Sequence, residues 1–518
     1  MTSSSSSRRE FLADVGGGML IGTLGAALTA DLGLAAAFDV RDDGRLTFGK
    51  LEPLVSFMQE TSLNKLQPRV AEKIAKGTDL KTLLAAAGLA NARTFGGQDY
   101  IGFHTMMALT PALHMSGQLP TKRKSLPVLK VLYRNTQRIQ KYGGKKSEKL
   151  KQLAARKRPS GNPGKILRDA TRTANFDKAD GTFAAFADAS PADAFNQVQW
   201  CVHEAADVHR VVLAWRAWSM IDVVGKQHAH TLLRQSVRYA VNMEQARLRR
   251  KRPTPEIRSL LPKLLDENRF PGRKLGKRRP DAKWLQEFAS TVFKSGRREA
   301  AEAAAAALAD GISPAAVGNA LAIAANMLLL HDPGRSRPGG EDKPIGSVHG
   351  ASVGVHASDS ANAWRHISQV TNERNRVASL IVGAYHTAGQ RGRVSAEPWP
   401  LSQHREKVRG KDPKALLREA DGAIREKNQG AACAAVQRYG ELGGKSRPLF
   451  DLLLRYAVSE EGALHAEKYY HTVSDEFRTL PAPFRWRQLV ALARVTASEY
   501  GRKAAGHSQA CKVLKVKS

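Results

Sequence analysis

The chain has 518 residues, a formal net charge of +33, 42% hydrophobic residues and 15 histidines. This length allows two or more hydrophobic cores, and the hydrophobic fraction is that of a folded protein, which excludes a disordered polyelectrolyte. The three cysteines form no Cys-x-x-Cys pair, which excludes a disulfide scaffold, a cysteine zinc site and a c-type haem attachment.

Residues 1–37 have the pattern of an export signal. An arginine pair at positions 8 and 9 is followed by Phe-Leu, by an apolar run from 15 to 30, and by an A-x-A-like site at 35–37. This order resembles the twin-arginine signal. The resemblance implies export of a folded protein, often with its cofactor already inserted, to the periplasm or cell envelope. A short retained membrane anchor is the alternative.

Residues 38–246 are predicted to form an N-terminal helical half, because apolar residues recur at helical spacing between glycine and proline breaks. One apolar helix in this half carries His104 and His114, with Pro111 expected to kink it.

The stretch 196–240 is predicted as two helices broken near Gly225. His203 and Asp207 lie four residues apart on the first of these helices, so they are expected to share one face. Such a pair is either a histidine oriented by a carboxylate or a simple ion pair.

Two blocks are strongly basic. Residues 122–158 contain fourteen Lys or Arg against one acid, and residues 247–279 contain thirteen against three. The first is predicted as a solvated helix pair or loop. The second contains several prolines, so 247–280 is predicted as a linker between two helical halves. The second helical half is predicted over 281–400 and contains a histidine-rich loop. The C-terminal helices are predicted over 401–518.

The stretch 344–371 is rich in Gly and Ser and carries three histidines. His349 and His356 are predicted on a loop that leads to a helix starting near Ser360. Loop histidines beside a helix start are well placed to reach a substrate or a metal, and free amides there could stabilise an oxyanion. A flexible connector is the alternative interpretation.

The remaining chain is also helical, with almost no alternating strand pattern, so the fold is predicted to be all-α, a multi-helix bundle-like array with long basic and Gly/Pro-rich loops. The helical metal signatures His-Glu-x-x-His and Glu-x-x-His are absent. The pairs Glu461/His465 and Glu467/His471 are interpreted as salt-bridge decoration.

Two short segments carry a resemblance to a known family. Tyr100-x-x-x-His104 and the run from His349 through Ser360, Asn362 and Arg365 to His366 resemble the questin-oxidase-like family. That family consists of histidine-rich helical proteins associated with oxygen-dependent opening of aromatic polyketide rings. The resemblance implies a histidine-lined oxidative pocket.

These observations lead to two hypotheses. In the first, the protein is an exported oxidoreductase in which histidines from distant segments line one pocket for a metal ion or haem, or for an aromatic or quinone-like substrate. The expected catalytic residues are His349, His356 and His366; the expected cofactor-binding residues are His104, His203 and Asp207; the expected metal ligands are His104, His203, His349 and His356. In the second, the protein is a non-catalytic scaffold that binds an anionic polymer, nucleic acid or lipid surface through 122–158 and 247–279.

Overall fold

The computed structural model describes residues 44–154, 156–340, 343–349 and 352–517. It confirms the all-α prediction, since 70% of the described residues are helical and 23 α-helices occur among them. Among the described residues, β-structure is limited to isolated β-bridges, and no strands occur. The predicted export signal lies outside this range.

The first half of the chain supplies eleven helices. They are α1 Glu52–Glu60, α2 Leu63–Ala75, α3 Leu80–Phe95, α4 Tyr100–Ser116, α5 Leu126–Lys141, α6 Pro163–Arg172, α7 Phe176–Ala184, α8 Pro191–Val202, α9 Val208–Val224, α10 Ala229–Arg249 and α11 Ile257–Glu267.

The second half supplies twelve. They are α12 Ala282–Lys294, α13 Arg297–Ala309, α14 Pro314–Leu330, α15 Val353–Val370, α16 Glu373–Gly389, α17 Ser402–Arg405, α18 Pro413–Arg425, α19 Gln429–Glu441, α20 Ser446–Ser459, α21 Ala466–Thr479, α22 Ala482–Glu499 and α23 His507–Val513. None of the helices in the described ranges is both long and apolar enough to cross a membrane.

Four helices from distant parts of the chain close into a ring. Helix α4 packs on α9, α9 packs on α15, α15 packs on α21, and α21 packs back on α4. Almost fully buried apolar side chains fill much of these contacts, so the hydrophobic effect stabilises the ring. Helices α15 and α21 are also joined by buried polar contacts, such as that of Arg365 with Asp475 at 2.7 Å. Small residues bring its outer neighbour α14 close to α15: a side chain at Gly354 would lie 2.4 Å from the backbone of Leu329.

The start of α15 differs from the prediction. Ser352 is the N-cap and accepts a hydrogen bond from the Val355 amide, so the helix begins at Val353. His356 therefore lies in the first helical turn and not on a loop. The expected capping residue Ser360 is buried inside the helix, and its amide is not free for an oxyanion.

The prediction that His203 and Asp207 share one helix face is wrong. His203 is the C-cap of α8, whereas Asp207 is the N-cap of α9 and accepts from two backbone amides. The Asp207 side chain accepts hydrogen bonds from backbone amides that a continuous helix would use. The helix is therefore interrupted between His203 and Asp207. The stretch 196–240 thus contains three helices.

The basic blocks are partly internal. In the first block, Lys130 and Arg134 are buried on α5 and pair with Glu467 of α21, at 2.7 and 3.4 Å. In the second block, Arg258 of α11 is largely buried and pairs with Glu204 and Glu244, at 3.1 and 2.6 Å. Part of the positive charge of each block is therefore used inside the fold.

Candidate histidine centre

Four histidines meet at the beginnings of the four ring helices. His104 lies in α4, His209 is the second residue of α9, His356 is the fourth residue of α15, and His465 is the N-cap of α21. The four ring helices pack side by side and all begin at this place, so they run in the same direction. We call these four residues the histidine centre.

The four rings form a closed quadrilateral. The ring centroids are 4.8 Å apart for His104 and His209, and 5.7 Å for His209 and His356. They are 5.1 Å apart for His356 and His465, and 5.4 Å for His465 and His104. The Nε2 atoms of His356 and His465 are 3.2 Å apart.

Backbone carbonyls orient two of the rings. His104 Nδ1 lies 2.7 Å from the Tyr100 carbonyl oxygen, and His465 Nδ1 lies 2.8 Å from that of Ala463. A carbonyl oxygen can only accept, so each Nδ1 carries the proton and donates it. Each neutral ring consequently keeps an unprotonated Nε2. The Nε2 of His104 is buried, and no described residue forms a hydrogen bond with it.

A carboxylate lies beside the third ring. Asp207 Oδ1 is 3.7 Å from His209 Nδ1, while its Oδ2 accepts from the Tyr239 hydroxyl at 2.9 Å. The His209 Nε2 is buried and has no hydrogen-bond partner within the part of the chain that the structure describes. A carboxylate or carbonyl behind the δ nitrogen is the usual support of a metal-binding or catalytic histidine.

The turn before His465 is strained. Ala463 and Leu464 have φ of 45° and 72°, the left-handed region that costs an L-residue about 1–2 kcal/mol. This conformation directs the Ala463 carbonyl to His465 Nδ1. Two adjacent non-glycine residues of this kind are uncommon, and such strain concentrates at functional sites.

Aromatic side chains form one wall of the centre and mark its opening. Phe103 stacks on His104 at 5.1 Å and lies 5.2 Å from His209. Tyr100 packs over His104 at 4.3 Å, yet 51% of it is exposed. His209 and His356 are half-buried, so the centre lies close to the protein surface at its Tyr100 side.

The four rings are neutral at neutral pH. Burial lowers the pKa of His209 to about 4 and that of His356 to about 3. Burial also lowers the pKa values of His104 and His465 well below their ordinary value. Neutral imidazoles are the form that binds metal ions and accepts protons.

Lys468, on the first turn of α21, is a cation whose charge acts on all four histidines. It is 1% exposed, and burial lowers its pKa to about 7, opposed by the carboxylates of Asp359 and Glu467. Its charge also lowers the pKa values of the four histidines. Lys468 and the helix beginnings together make the centre favourable for an anionic group.

The predicted site residues divide into two groups. His104 and His356 belong to the centre, and Asp207 supports it. His203 lies apart: its Nε2 is 3.0 Å from Ser379 Oγ and its ring stacks on Trp364.

The other two predicted residues have separate partners. His349 Nδ1 lies 2.7 Å from Ser498 Oγ. His366 Nε2 lies 2.5 Å from Asp475 Oδ2, with its ring stacked on Trp215 at 4.7 Å. No ring contact between described residues joins His366 to the centre.

Two members of the centre were missed by sequence reasoning. His465 was interpreted as surface decoration, but it is 3% exposed. His209 is the histidine of an Asp-x-His pattern. The aspartate of this pattern, Asp207, is a helix-capping residue, and it was the signal in the sequence that could have indicated His209. Nothing local in the sequence indicated that α21 returns to α4.

As the side chains stand, the described residues contain no group of three or more His, Cys, Asp or Glu placed to hold a metal ion. Nitrogens that share an ion at about 2.0–2.1 Å lie roughly 3–3.4 Å apart. The His356 and His465 Nε2 atoms have this spacing. Metal binding therefore requires His104 and His209 to close toward that pair.

Comparisons with protein-family models, with curated proteins and with solved structures found no match for this chain.

Proposed function

We propose that this protein is a metal-dependent oxidoreductase in which His104, His209, His356 and His465 bind one first-row transition-metal ion. The observation that carries the proposal is the convergence of four imidazoles from four helices. Imidazole nitrogens are ligands suited to zinc, copper, iron and nickel. Of these, iron and copper are the redox-active ions that we propose for the oxidative chemistry.

The unpartnered nitrogens support a ligand at the centre. The Nε2 atoms of His104 and His209 are buried and have no hydrogen-bond partner among the described residues. A buried polar atom left without a partner costs about 1–3 kcal/mol. An ion that accepts their lone pairs removes this cost, and their δ nitrogens already have the supporting partners.

The surroundings favour an aromatic substrate with an acidic hydroxyl. Tyr100 and Phe103 provide a flat apolar wall at the opening, which suits ring stacking. Lys468 and the four helix beginnings favour negative charge, such as a phenolate or enolate oxygen next to the ion. This agrees with the aromatic, quinone-like substrate expected from the questin-oxidase-like resemblance.

Metal analysis of the purified full chain tests the proposal. We expect about one iron or copper ion per chain, and His209→Gln or His356→Gln should lower the content to less than about a fifth. Both side chains are half-buried, so these variants should keep the fold. The control is His404→Gln, because His404 is also half-buried but packs on Trp399, with ring centroids 4.9 Å apart.

Each outcome decides between alternatives. If the protein binds only zinc, the histidine centre remains a metal site, but the oxidative function is contradicted. Protein that binds no metal, or loses it equally in the His404 variant, would contradict the metal site itself.

Export by the twin-arginine route is part of the proposal. It rests on the arginine pair at positions 8 and 9 and the apolar run that follows, and this route suits a protein that folds around its cofactor first. Replacing both arginines by lysine should hold the protein in the cytoplasm, which cell fractionation would measure.

The polyanion-binding alternative remains a prediction; internal pairing of Lys130 and Arg134 reduces the charge available for it.

A further inference from the structure

A second cleft lies among α12, α14, α19 and α22. Its volume is about 680 Å³, within the roughly 300–1,000 Å³ of small-molecule sites. Apolar side chains of Met327, Leu330 and Val490 line it together with Trp399 and Trp486. It shares no residue with the histidine centre.

The two indole rings are held in place. The Trp399 amide donates to the Leu330 carbonyl at 2.7 Å, and its ring centroid lies 4.0 Å from the guanidinium carbon of Arg494. Trp486 Nε1 donates to the Val436 carbonyl at 2.9 Å. Both rings are half-buried, so each presents a fixed aromatic surface to the cleft at little further cost in conformational entropy.

The charge behind Trp399 is positive. Arg494 is fully buried and donates to the carbonyl oxygens of Leu329 and Asp332, at 2.7 and 2.6 Å. Its third partner is the side-chain oxygen of Gln429, at 3.3 Å. In the described part of the chain no carboxylate forms an ion pair with this guanidinium. The Asp332 carboxylate acts on it electrostatically, so the positive charge beneath the indole is only partly compensated.

The charge on the wall of the cleft is also positive. Arg487 donates to Gln286 Oε1 at 2.8 Å, and no carboxylate oxygen of the described residues lies within ion-pair distance of it. The acidic side chain at the cleft, Glu441, pairs with Arg438 at 3.4 Å. Arg487 is thus left as a planar donor for an incoming anion.

We propose that this cleft binds a small aromatic carboxylate, with its ring against Trp399 and Trp486 and its carboxylate at Arg487. The indoles match a flat apolar ring, and the guanidinium fork matches the two oxygens of a carboxylate. The proposal is independent of the histidine centre, so it stands even if the protein binds no metal.

Calorimetric titration of the full chain with 2-naphthoate and with neutral 2-naphthamide tests it. We expect 2-naphthoate to bind about tenfold or more tightly than the amide, because a charge-assisted hydrogen bond contributes about 1.5–3 kcal/mol. Arg487→Gln should bring the two affinities within about twofold of each other. Trp399→Ala should weaken the binding of both ligands.

Two controls separate the cleft from general effects. Arg418→Gln removes an exposed arginine of α18, 72% exposed and outside the cleft, and should leave both affinities unchanged, as should His209→Gln. No binding at millimolar concentrations, equal binding of acid and amide, or binding unaffected by Arg487→Gln and Trp399→Ala would overturn the proposal.

Discussion

Asp207 connects backbone structure to the histidine centre. One carboxylate oxygen caps α9 by accepting from the amides of His209 and Arg210, and the same residue lies beside His209 Nδ1. Burial acts to raise the pKa of Asp207, but His209, Arg210 and the Tyr239 hydroxyl bring it below its ordinary value. The side chain therefore remains a carboxylate where an oriented histidine requires one.

Asp207→Asn should weaken metal binding by roughly 10–100-fold, because it removes the charge behind His209. Competition with a chelator measures this. The matched control is Asp412→Asn, since Asp412 also caps a helix by accepting from two backbone amides. An equal loss of affinity in both variants would mean that the effect comes from the cap and not from the histidine.

Glu499, on α22, gives a prediction for stability. Its Oε1 is buried and has no hydrogen-bond partner among the residues described. Burial raises the pKa of Glu499 to about 8, and Glu467 acts in the same direction. The unfolded chain releases this proton near the ordinary pKa of 4.5, whereas the folded chain keeps it. Stability therefore falls as pH rises from about 4.5 to about 8, by up to about 1.4 kcal/mol per pH unit.

Glu499→Gln removes this titration, so its stability advantage over the natural chain should grow between pH 5 and pH 8. Urea unfolding at the two pH values measures it. Glu419→Gln, an exposed position on α18, should show no such growth. A constant difference at both pH values would contradict the burial of the Glu499 proton.

Individual residues were only partly predictable. His104 and His356 were recognised as candidates because they lie in apolar segments, and both belong to the centre. His203 has the same local character, but its helix ends at Val202 and its ring packs on Trp364. Local apolarity does not distinguish a core histidine from one in a site.

At the scale of elements, the turn before α21 has the clearest strain. Gly462 provides one left-handed residue without cost, but Ala463 and Leu464 continue in that region. The strained turn fixes the direction from which His465 enters the centre. The sequence Gly-Ala-Leu predicts no such turn, because only its first residue favours positive φ.

Ala463→Gly should stabilise the protein by about 1 kcal/mol, since glycine adopts φ of 45° without the Cβ clash. Urea unfolding measures the change. Ala306→Gly is the opposing control: Ala306 is exposed within α13, where glycine should cost about 1 kcal/mol. Destabilisation by Ala463→Gly would show that the turn carries no strain.

For the whole molecule, the fold class could be predicted and the site could not. Helix positions follow from apolar periodicity and from caps such as Asp99 and Asp412, which are local signals. The centre depends on contacts between α4 and α21, more than 350 residues apart in the chain. Such long-range packing has no local sequence pattern.

Anomalous X-ray scattering from crystals of the metal-loaded full chain tests the central claim most directly. The account predicts one strong peak at the metal absorption edge, enclosed by the Nε2 atoms of His104, His209, His356 and His465. The peak should be absent from His209→Gln crystals. No peak at this position, or a single peak elsewhere that survives His209→Gln, would contradict the account.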